Sequence, residues 1–346
     1  MSLVDVHNEW DPLEEVIVGT AIDARVPKGD LSMRVIEFSD AQTEEDVPSG
    51  LHPQHVIEET EEELNVLCKE LENVGVTVRR PAPRDHAVVA GTPDWQTDAF
   101  PDYCPRDGFL TIGNTIIETP MPLRARFHEY LAYKDLFLEY FNSGARWISA
   151  PKPRLADEMY DLSAPVGKRV QNLEPAFDAA NVLRLGTDIL YLVSDSGNEL
   201  GLRWLQSTLG DQYKVHPVRD VYASTHIDTT FVALRPGLVM VNPARVTKEN
   251  MPAVLKDWDV IWAPEPVDIG FAGEEANCSI WVGMNMFSVS PDLVAVDKRQ
   301  TGLIRELEKH KIDVLPVQLT HARTLAGGFH CVTLDVRRRG TLETYS

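Results

Sequence analysis

The clearest pattern of apolar positions covers residues 54–74, where apolar side chains and one threonine recur at three- and four-residue steps. These positions are Val56, Thr60, Leu64, Leu67, Leu71 and Val74. This spacing places them on one face of a helix, and Gly75 supplies a C-terminal stop. Strands are predicted before the helix, over 15–19, and after it, over 76–78. The polar segment 40–53 between the first strand and the helix is typical of a loop.

Pairs of short apolar strands joined by tight turns follow along the rest of the chain. Hairpins are predicted over 110–118, 183–193, 231–241 and 284–296, with helices over 124–141, 198–209 and 301–310 and a strand over 314–319. The repeated order of hairpin, helix and strand favours a radial or closed arrangement of small mixed units in one domain, residues 1–346. A doubly wound sheet is disfavoured, because it requires parallel strands rather than a tight hairpin in each unit.

Composition narrows the classes of partner. The chain of 346 residues has 53 acidic and 33 basic residues, a formal charge of −20. No basic stripe suits a phosphate backbone, so no nucleic-acid partner is expected. No apolar run approaches the roughly 18 residues of a membrane span, and no signal peptide is evident. We therefore expect a cytoplasmic protein with reduced thiols, in which a single reactive cysteine is plausible.

Two segments combine a potential nucleophile or base with residues that would position it. Cys331 follows two glycines in Gly327-Gly328-Phe329-His330-Cys331. It is either a structural thiol or a nucleophile, since reactivity needs access and a lowered pKa. His226 and Asp228 would point to the same face of a strand, as an acid or base beside a carboxylate. A surface polar pair and part of a metal site are the alternatives.

Two further carboxylates precede apolar segments. Asp178 lies in Phe177-Asp178-Ala179-Ala180 and Asp107 in Cys104-Pro105-Arg106-Asp107. Each could be a capping or turn residue, and a buried aspartate could also orient a histidine. A cysteine, a histidine and three aspartates at the ends of separate units suit a cationic substrate. Carboxylates bind a guanidinium bidentately, and a cysteine with a histidine can attack an electrophilic carbon. The four cysteines are not spaced as metal ligands.

The chain resembles the arginine amidinotransferases in a series of ordered segments that covers nearly its whole length. These segments are Asn8–Gly19, Cys104–Asp107, Arg124–Phe127, Phe177–Ala180, His226–Asp228, Asn242–Arg245, Gly327–Cys331 and Asp335–Gly340. Within the family, it looks most like the inosamine-phosphate branch of streptomycin-type antibiotic biosynthesis. The resemblance implies an α/β fold, a single pentein-type propeller of five mixed units around a pseudo-fivefold axis. The active site would lie in the central channel.

The resemblance also implies catalytic roles. Cys331 would be the nucleophile that forms an amidino-cysteine intermediate. His226 would be the general acid and base, and Asp178 would orient it. The scheme is ping-pong, with no metal and no cofactor.

Further residues would bind the donor, L-arginine. Asp107 and Asp228 would bind its guanidinium group. Arg126 and Arg245 would line the substrate site, with Arg245 as the partner of the arginine carboxylate. Ser279 matches a further arginine-binding position. A homodimer is compatible with the family resemblance.

The resemblance gives less information about the amine that accepts the amidino group. Thr225 stands where the vertebrate glycine enzyme has methionine, which favours a more open or polar acceptor site. The expected acceptor is scyllo-inosamine 4-phosphate. Glycine, lysine and water are the alternatives, the last giving a deiminase-type hydrolase. A catalytically silent propeller that binds a cation and a metal-dependent enzyme using His226 and Asp228 also remain as hypotheses.

Overall fold

The computed structural model describes residues 2–273 and 276–345. Its helices are α1 (Leu31–Ile36), α2 (Gln54–Asn73), α3 (Pro105–Gly108), α4 (Tyr130–Asn142), α5 (Glu199–Leu209) and α6 (Thr301–Lys309). Its strands are β1 (Leu13–Val18), β2 (Arg25–Val26), β3 (Gly50–Leu51), β4 (Thr77–Arg79), β5 (Ala90–Gly91), β6 (Gln96–Thr97), β7 (Phe109–Ile112), β8 (Thr115–Glu118), β9 (Arg146–Ser149), β10 (Val182–Leu185), β11 (Asp188–Leu192), β12 (Lys214–Val218), β13 (Phe231–Arg235), β14 (Leu238–Val241), β15 (Asp259–Trp262), β16 (Phe287–Ser290), β17 (Leu293–Asp297), β18 (Asp313–Val317) and β19 (Thr333–Arg338). None of the described helices has the length and apolar character needed to cross a bilayer.

Most strands form separate three-stranded sheets of one design. The sheets β7-β8-β9, β10-β11-β12, β13-β14-β15 and β16-β17-β18 each contain an antiparallel hairpin and a third strand parallel to its second strand. Positive φ angles at Gly113 and Gly237 allow two of the hairpin turns. The predicted cycle of hairpin, helix and strand is therefore confirmed, and the α/β class with it.

The first of these units joins the two ends of the chain. β1 pairs antiparallel with β19 and parallel with β4, so the sheet order is β19-β1-β4. The connecting helix is α2 here and α4, α5 or α6 in three other units. Between β14 and β15 a short 3-10 turn at Ala253–Leu255 takes its place.

Local sequence explains where the helices begin and what they bury. Asp30 and Asn198 accept backbone N–H bonds at the starts of α1 and α5, which satisfies donors that a helix leaves unpaired. The predicted apolar face of α2 is buried, with Leu64, Leu67 and Leu71 fully inaccessible, except at Val74, which follows the last residue of the helix and is exposed. These leucines pack in one core cluster with residues of β1 and β18, so α2 covers its own unit and the neighbouring one.

Two predictions of secondary structure are wrong. The helix predicted over 124–141 is a 3-10 turn at Arg124–Arg126 followed by α4, because both arginines are held by distant partners. His226 and Asp228 lie in a loop before β13 rather than on a strand. His226 has φ 65°, and its N–H faces the side chains of Asn181 and Ser196 instead of a neighbouring strand. Tertiary contacts override local propensity at both places.

A buried ion network links several units. Asp335 on β19 is fully inaccessible and accepts hydrogen bonds from Arg106 at 2.7 Å, Arg184 at 2.8 Å and Arg338 at 2.5 Å. Arg184 also forms two 2.8 Å bonds to Glu9. Burial alone would raise the pKa of Asp335, but the three guanidinium groups outweigh it and hold that pKa well below its usual range. The carboxylate therefore stays charged in the core.

Replacing Asp335 by asparagine should destabilise the fold strongly. It leaves three buried cations around a neutral amide, and breaking a buried ion pair costs about 3–5 kcal/mol. The free energy of unfolding in urea measures the loss. Arg219→Gln removes a half-exposed pair with Glu199 and should cost less than about 1 kcal/mol. Equal losses in the two variants would contradict a dominant role for the buried network.

Candidate active site

Cys331 lies in a loop that Asn285 holds in place. The Asn285 side-chain oxygen accepts the backbone N–H of His330 at 2.9 Å and of Cys331 at 3.0 Å. The two glycines before them are needed for close packing. A Cβ on Gly328 would lie 2.7 Å from Cβ of Asn285, and one on Gly327 would lie 2.6 Å from the Cys104 sulfur. Larger residues at either position would displace the loop that carries Cys331.

The Cys331 thiol is buried among groups that disfavour its ionisation. Its sulfur lies 3.6 Å from Oδ2 of Asp228. The hydrogen bond with Cys104, burial and the negative charge of Asp228 together raise the pKa of Cys331 well above its usual value. The thiol is therefore protonated at neutral pH in the unliganded protein, and a cation is needed beside it to favour the thiolate.

His330 connects Asp228 to the ion network of the core. Its Nδ1 lies 2.9 Å from Asp228 Oδ2 and its Nε2 lies 3.3 Å from Glu9 Oε2. Burial would raise the pKa of Asp228, but the bond and charge of His330 outweigh it and lower that pKa. Asp228 therefore remains a carboxylate beside the thiol.

His226 lies between two other carboxylates. Its Nε2 is 2.9 Å from Asp178 Oδ2, and its Nδ1 is 3.8 Å from Asp107 Oδ1. Burial opposes a charged imidazole, but Asp107 and Asp178 outweigh it and raise the pKa of His226 to about 10. His226 is therefore an imidazolium at neutral pH, with Asp178 fixing one nitrogen and the other directed toward Asp107.

Asp107 is held by Arg126 but keeps one oxygen free. Arg126 donates to Asp107 Oδ2 at 2.5 Å, to both oxygens of Glu129 and to the Cys104 carbonyl oxygen. Oδ1 of Asp107 and Oδ1 of Asp178 are buried without a hydrogen-bond partner. Buried polar atoms are rarely left unpaired, so these two oxygens have the character of ligand-binding atoms.

Arg245, which is partly buried, differs from the buried Arg126. Its guanidinium stacks on Tyr222, with 3.5 Å between the guanidinium carbon and the ring centroid, and it donates to the hydroxyls of Thr229 and Thr230. It forms no ion pair with a carboxylate of the described residues. Burial lowers its pKa, although the interactions with Tyr222 and Asp228 oppose that shift. Arg245 is therefore a fixed cation that can accept an anionic group.

Ser279 forms no hydrogen bond with the described residues of this cluster. It is exposed and its hydroxyl caps the 3-10 helix Ile280–Met284 by accepting the N–H of Trp281. The predicted residues that the structure joins through direct contacts are Asp107 with Arg126 and His226, His226 with Asp178, and Cys331 with Asp228.

Four residues with evident structural roles at the site received no assignment from the sequence: Asn285, His330, Glu9 and Cys104. His330 and Cys104 lie in the same short segments as Cys331 and Asp107, and this proximity in sequence is a usable signal. Glu9 lies in a segment that carries the family resemblance, Asn8–Gly19, but like Asn285 it is distant from Cys331 in the chain, and only the fold brings the two residues here. Among residues 2–273 and 276–345, no group of three or more His, Cys, Asp or Glu side chains is arranged to hold a metal ion.

Comparison with solved structures places this site on a fold shared by several enzymes. The dimethylarginine dimethylaminohydrolase of Pseudomonas aeruginosa superposes with a TM-score of 0.62 at 13% identity, covering 93% of this chain and 99% of that one. The inosamine-phosphate amidinotransferase of Streptomyces griseus superposes with a TM-score of 0.99 at 65% identity, covering 100% and 99%. The first likeness shows the α/β fold alone, whereas the second extends to the sequence.

Sequence relatives identify the family. The chain is 66% identical to inosamine-phosphate amidinotransferase 1 of Streptomyces glaucescens over 100% of this chain and 99% of the relative. It is 38% identical to the mitochondrial glycine amidinotransferase of Danio rerio over 99% and 84%. No family model matches the chain. The chain belongs to the amidinotransferase family and is an enzyme, and the inosamine-phosphate amidinotransferases are among its high-identity relatives.

The charge state of His226 gives a direct test of the site's electrostatics. In Asp178→Asn a neutral amide replaces the carboxylate bonded to Nε2, so the imidazolium loses attraction and its pKa should fall from about 10 toward the ordinary value of 6.5. NMR titration of the ring measures it. A wild-type pKa near 6.5, or one unchanged in the variant, would contradict this assignment.

Proposed function

We propose that this amidinotransferase moves the amidino group of L-arginine to an amine through an amidino-cysteine on Cys331. The observation that carries the proposal is the free, buried Oδ1 of Asp107, beside an imidazolium and within electrostatic range of Cys331. Asp107 and Asp228 supply carboxylate oxygens for N–H groups at the edges of a guanidinium, and such charge-assisted hydrogen bonds are strong. Arg126 acts through Asp107, because its own hydrogen bonds position that carboxylate.

The first half-reaction begins when arginine binds. Its positive charge offsets Asp107 and Asp228, so the pKa of the Cys331 thiol falls, its proton passes to solvent and the thiolate forms. The sulfur attacks the guanidinium carbon and an S–C bond forms. His226 donates the Nδ1 proton to the departing nitrogen as the C–N bond breaks, and ornithine leaves. Asp178 keeps the imidazole ring oriented throughout.

The second half-reaction reverses these steps with another amine. The acceptor nitrogen attacks the amidino carbon, His226 takes a proton from it, and the S–C bond breaks to restore the thiolate. No metal or cofactor is required in this scheme. Holding the reacting atoms in line supplies much of the rate, since correct positioning can contribute about 7–11 kcal/mol.

The acceptor we propose is scyllo-inosamine 4-phosphate, as the names of the high-identity relatives suggest. Glycine, lysine and water are the alternatives. Ornithine and citrulline release should be measured with arginine alone and with each amine added. Fastest ornithine release with the inosamine phosphate supports the proposal. Steady citrulline release from arginine alone would instead make the protein a deiminase-type hydrolase.

We also propose that residues 1–346 form one pentein-type domain, with five units around a pseudo-fivefold axis and the site in the central channel. The support is the repeated unit of hairpin and parallel third strand, together with the pairing of β19 with β1. Such an arrangement explains why the side chains of the site come from different units.

Cys331→Ala should abolish acceptor-dependent ornithine release, because the proposed amidino-cysteine cannot form without the Cys331 sulfur. The matched control is Cys68→Ala, which removes a partly buried thiol on α2 near Arg80 and should keep wild-type turnover. Steady-state assays with arginine and the best acceptor measure both. Turnover retained in Cys331→Ala would rule out the covalent mechanism.

Arg245→Gln should raise KM for arginine about 100-fold with a smaller change in kcat, because loss of one partner of a buried charge pair costs about 2–5 kcal/mol. Agmatine, which lacks the carboxylate, should be used equally by variant and wild type. An equal loss with agmatine would show that Arg245 does not bind the arginine carboxylate. Ser279→Ala tests the further position that we propose for arginine binding, and a smaller KM increase is expected there because Ser279 is exposed.

A further inference from the structure

A cavity of about 570 Å³ opens beside Glu37 and Thr324. Together with a smaller adjoining cavity it is lined by the loop that follows α1 and by residues around Thr324, and Glu37 and His52 line both. The smaller cavity also reaches Tyr103, the neighbour of Cys104 in sequence. Its position suits the entry path of a substrate that must reach Cys331.

Glu37 is a carboxylate in this cavity that the proposed chemistry does not use. It follows the last residue of α1, and its side chain forms no hydrogen bond or ion pair with a residue that the structure describes. By contrast, Arg25, which lines the smaller cavity, is paired with Asp98 at 2.9 Å. Glu37 lies close to the catalytic cluster, because its pKa is affected by the charges of His226, Arg126, Asp178 and Asp107. Burial raises its pKa, which favours a group that can both hold and release a proton.

The acceptor nitrogen must lose more protons during the transfer than His226 accepts, so a second proton acceptor is needed. The acceptor arrives as an ammonium with three hydrogens on nitrogen, and in the guanidino product that nitrogen keeps one. Two protons must therefore leave it. His226 takes one as the S–C bond breaks. The other has to leave before attack, because an ammonium has no lone pair with which to form the C–N bond.

We propose that Glu37 binds the ammonium group of the incoming acceptor and takes its first proton. One N–H bond breaks and one O–H bond forms on the Glu37 carboxylate, which leaves a neutral amine to attack the amidino carbon. The proton then passes to solvent through the open cavity before the next cycle. This assignment rests on the proposed amidino transfer and makes Glu37 a determinant of acceptor specificity.

Glu37→Gln should lower kcat/KM for scyllo-inosamine 4-phosphate about 100-fold, within the range for removal of a general base. Hydroxylamine, which is uncharged at neutral pH, should keep wild-type kcat/KM as acceptor. The first half-reaction, followed as the burst of ornithine from arginine alone, should also be unchanged. Asp40→Asn is the matched control, since Asp40 lines the larger cavity but is exposed and does not line the smaller one. It should behave as wild type with both acceptors.

Each other outcome has a separate meaning. Equal losses with hydroxylamine and the phosphorylated amine would show that Glu37 only supports the structure of the site, and would overturn the proposal. A slower arginine burst with unchanged acceptor kinetics would assign Glu37 to the donor and overturn it as well. No ornithine from wild type with any amine would refute the amidino transfer itself, and the role of Glu37 would fall with it.

Discussion

The buried carboxylate of Asp335 and the three arginines around it are the interaction on which the rest of the structure depends. Arg106 precedes Asp107 in the same short helix, α3, and Arg184 on β10 binds Glu9, which contacts His330. His330 in turn bonds to Asp228 beside Cys331. A charge removed from water is costly unless it is fully paired. The network therefore permits one arrangement of the strands that carry it, and it fixes the site at the same time.

The electrostatics of the site suit an enzyme that reacts only with a bound cation. The hydrogen bond with Cys104, burial and the charge of Asp228 keep Cys331 protonated in the unliganded protein, and Asp107 and Asp178 keep His226 protonated. Neither group is then a strong nucleophile or base. A guanidinium supplies the positive charge that these carboxylates lack, so the substrate would activate its own nucleophile. Such dependence would also protect the thiol between turnovers, because reactivity and oxidation both follow the thiolate.

Elements set by local pattern could be predicted from the sequence, and elements set by distant contacts could not. The periodicity of α2 and the turn glycines of the hairpins are local signals, and the structure confirms them. The conformation of His226 could not be predicted in this way. Asn181 and Ser196 hold its backbone in a left-handed loop conformation, which the neighbouring residues in the sequence do not indicate. Asn285 and Glu37 also act across the fold. Neither residue is marked by a pattern in the sequence, and each can be assigned a role only from its neighbours in the folded protein.

The most direct test of the account is the chemical state of Cys331 after wild-type protein meets arginine without an acceptor. Rapid acid quenching followed by mass spectrometry of the peptide that contains Cys331 would identify the adduct, and ornithine would be measured in the same sample. The account predicts one amidino group on Cys331 and ornithine equal in amount to the enzyme. An unmodified Cys331 together with released ornithine would contradict it.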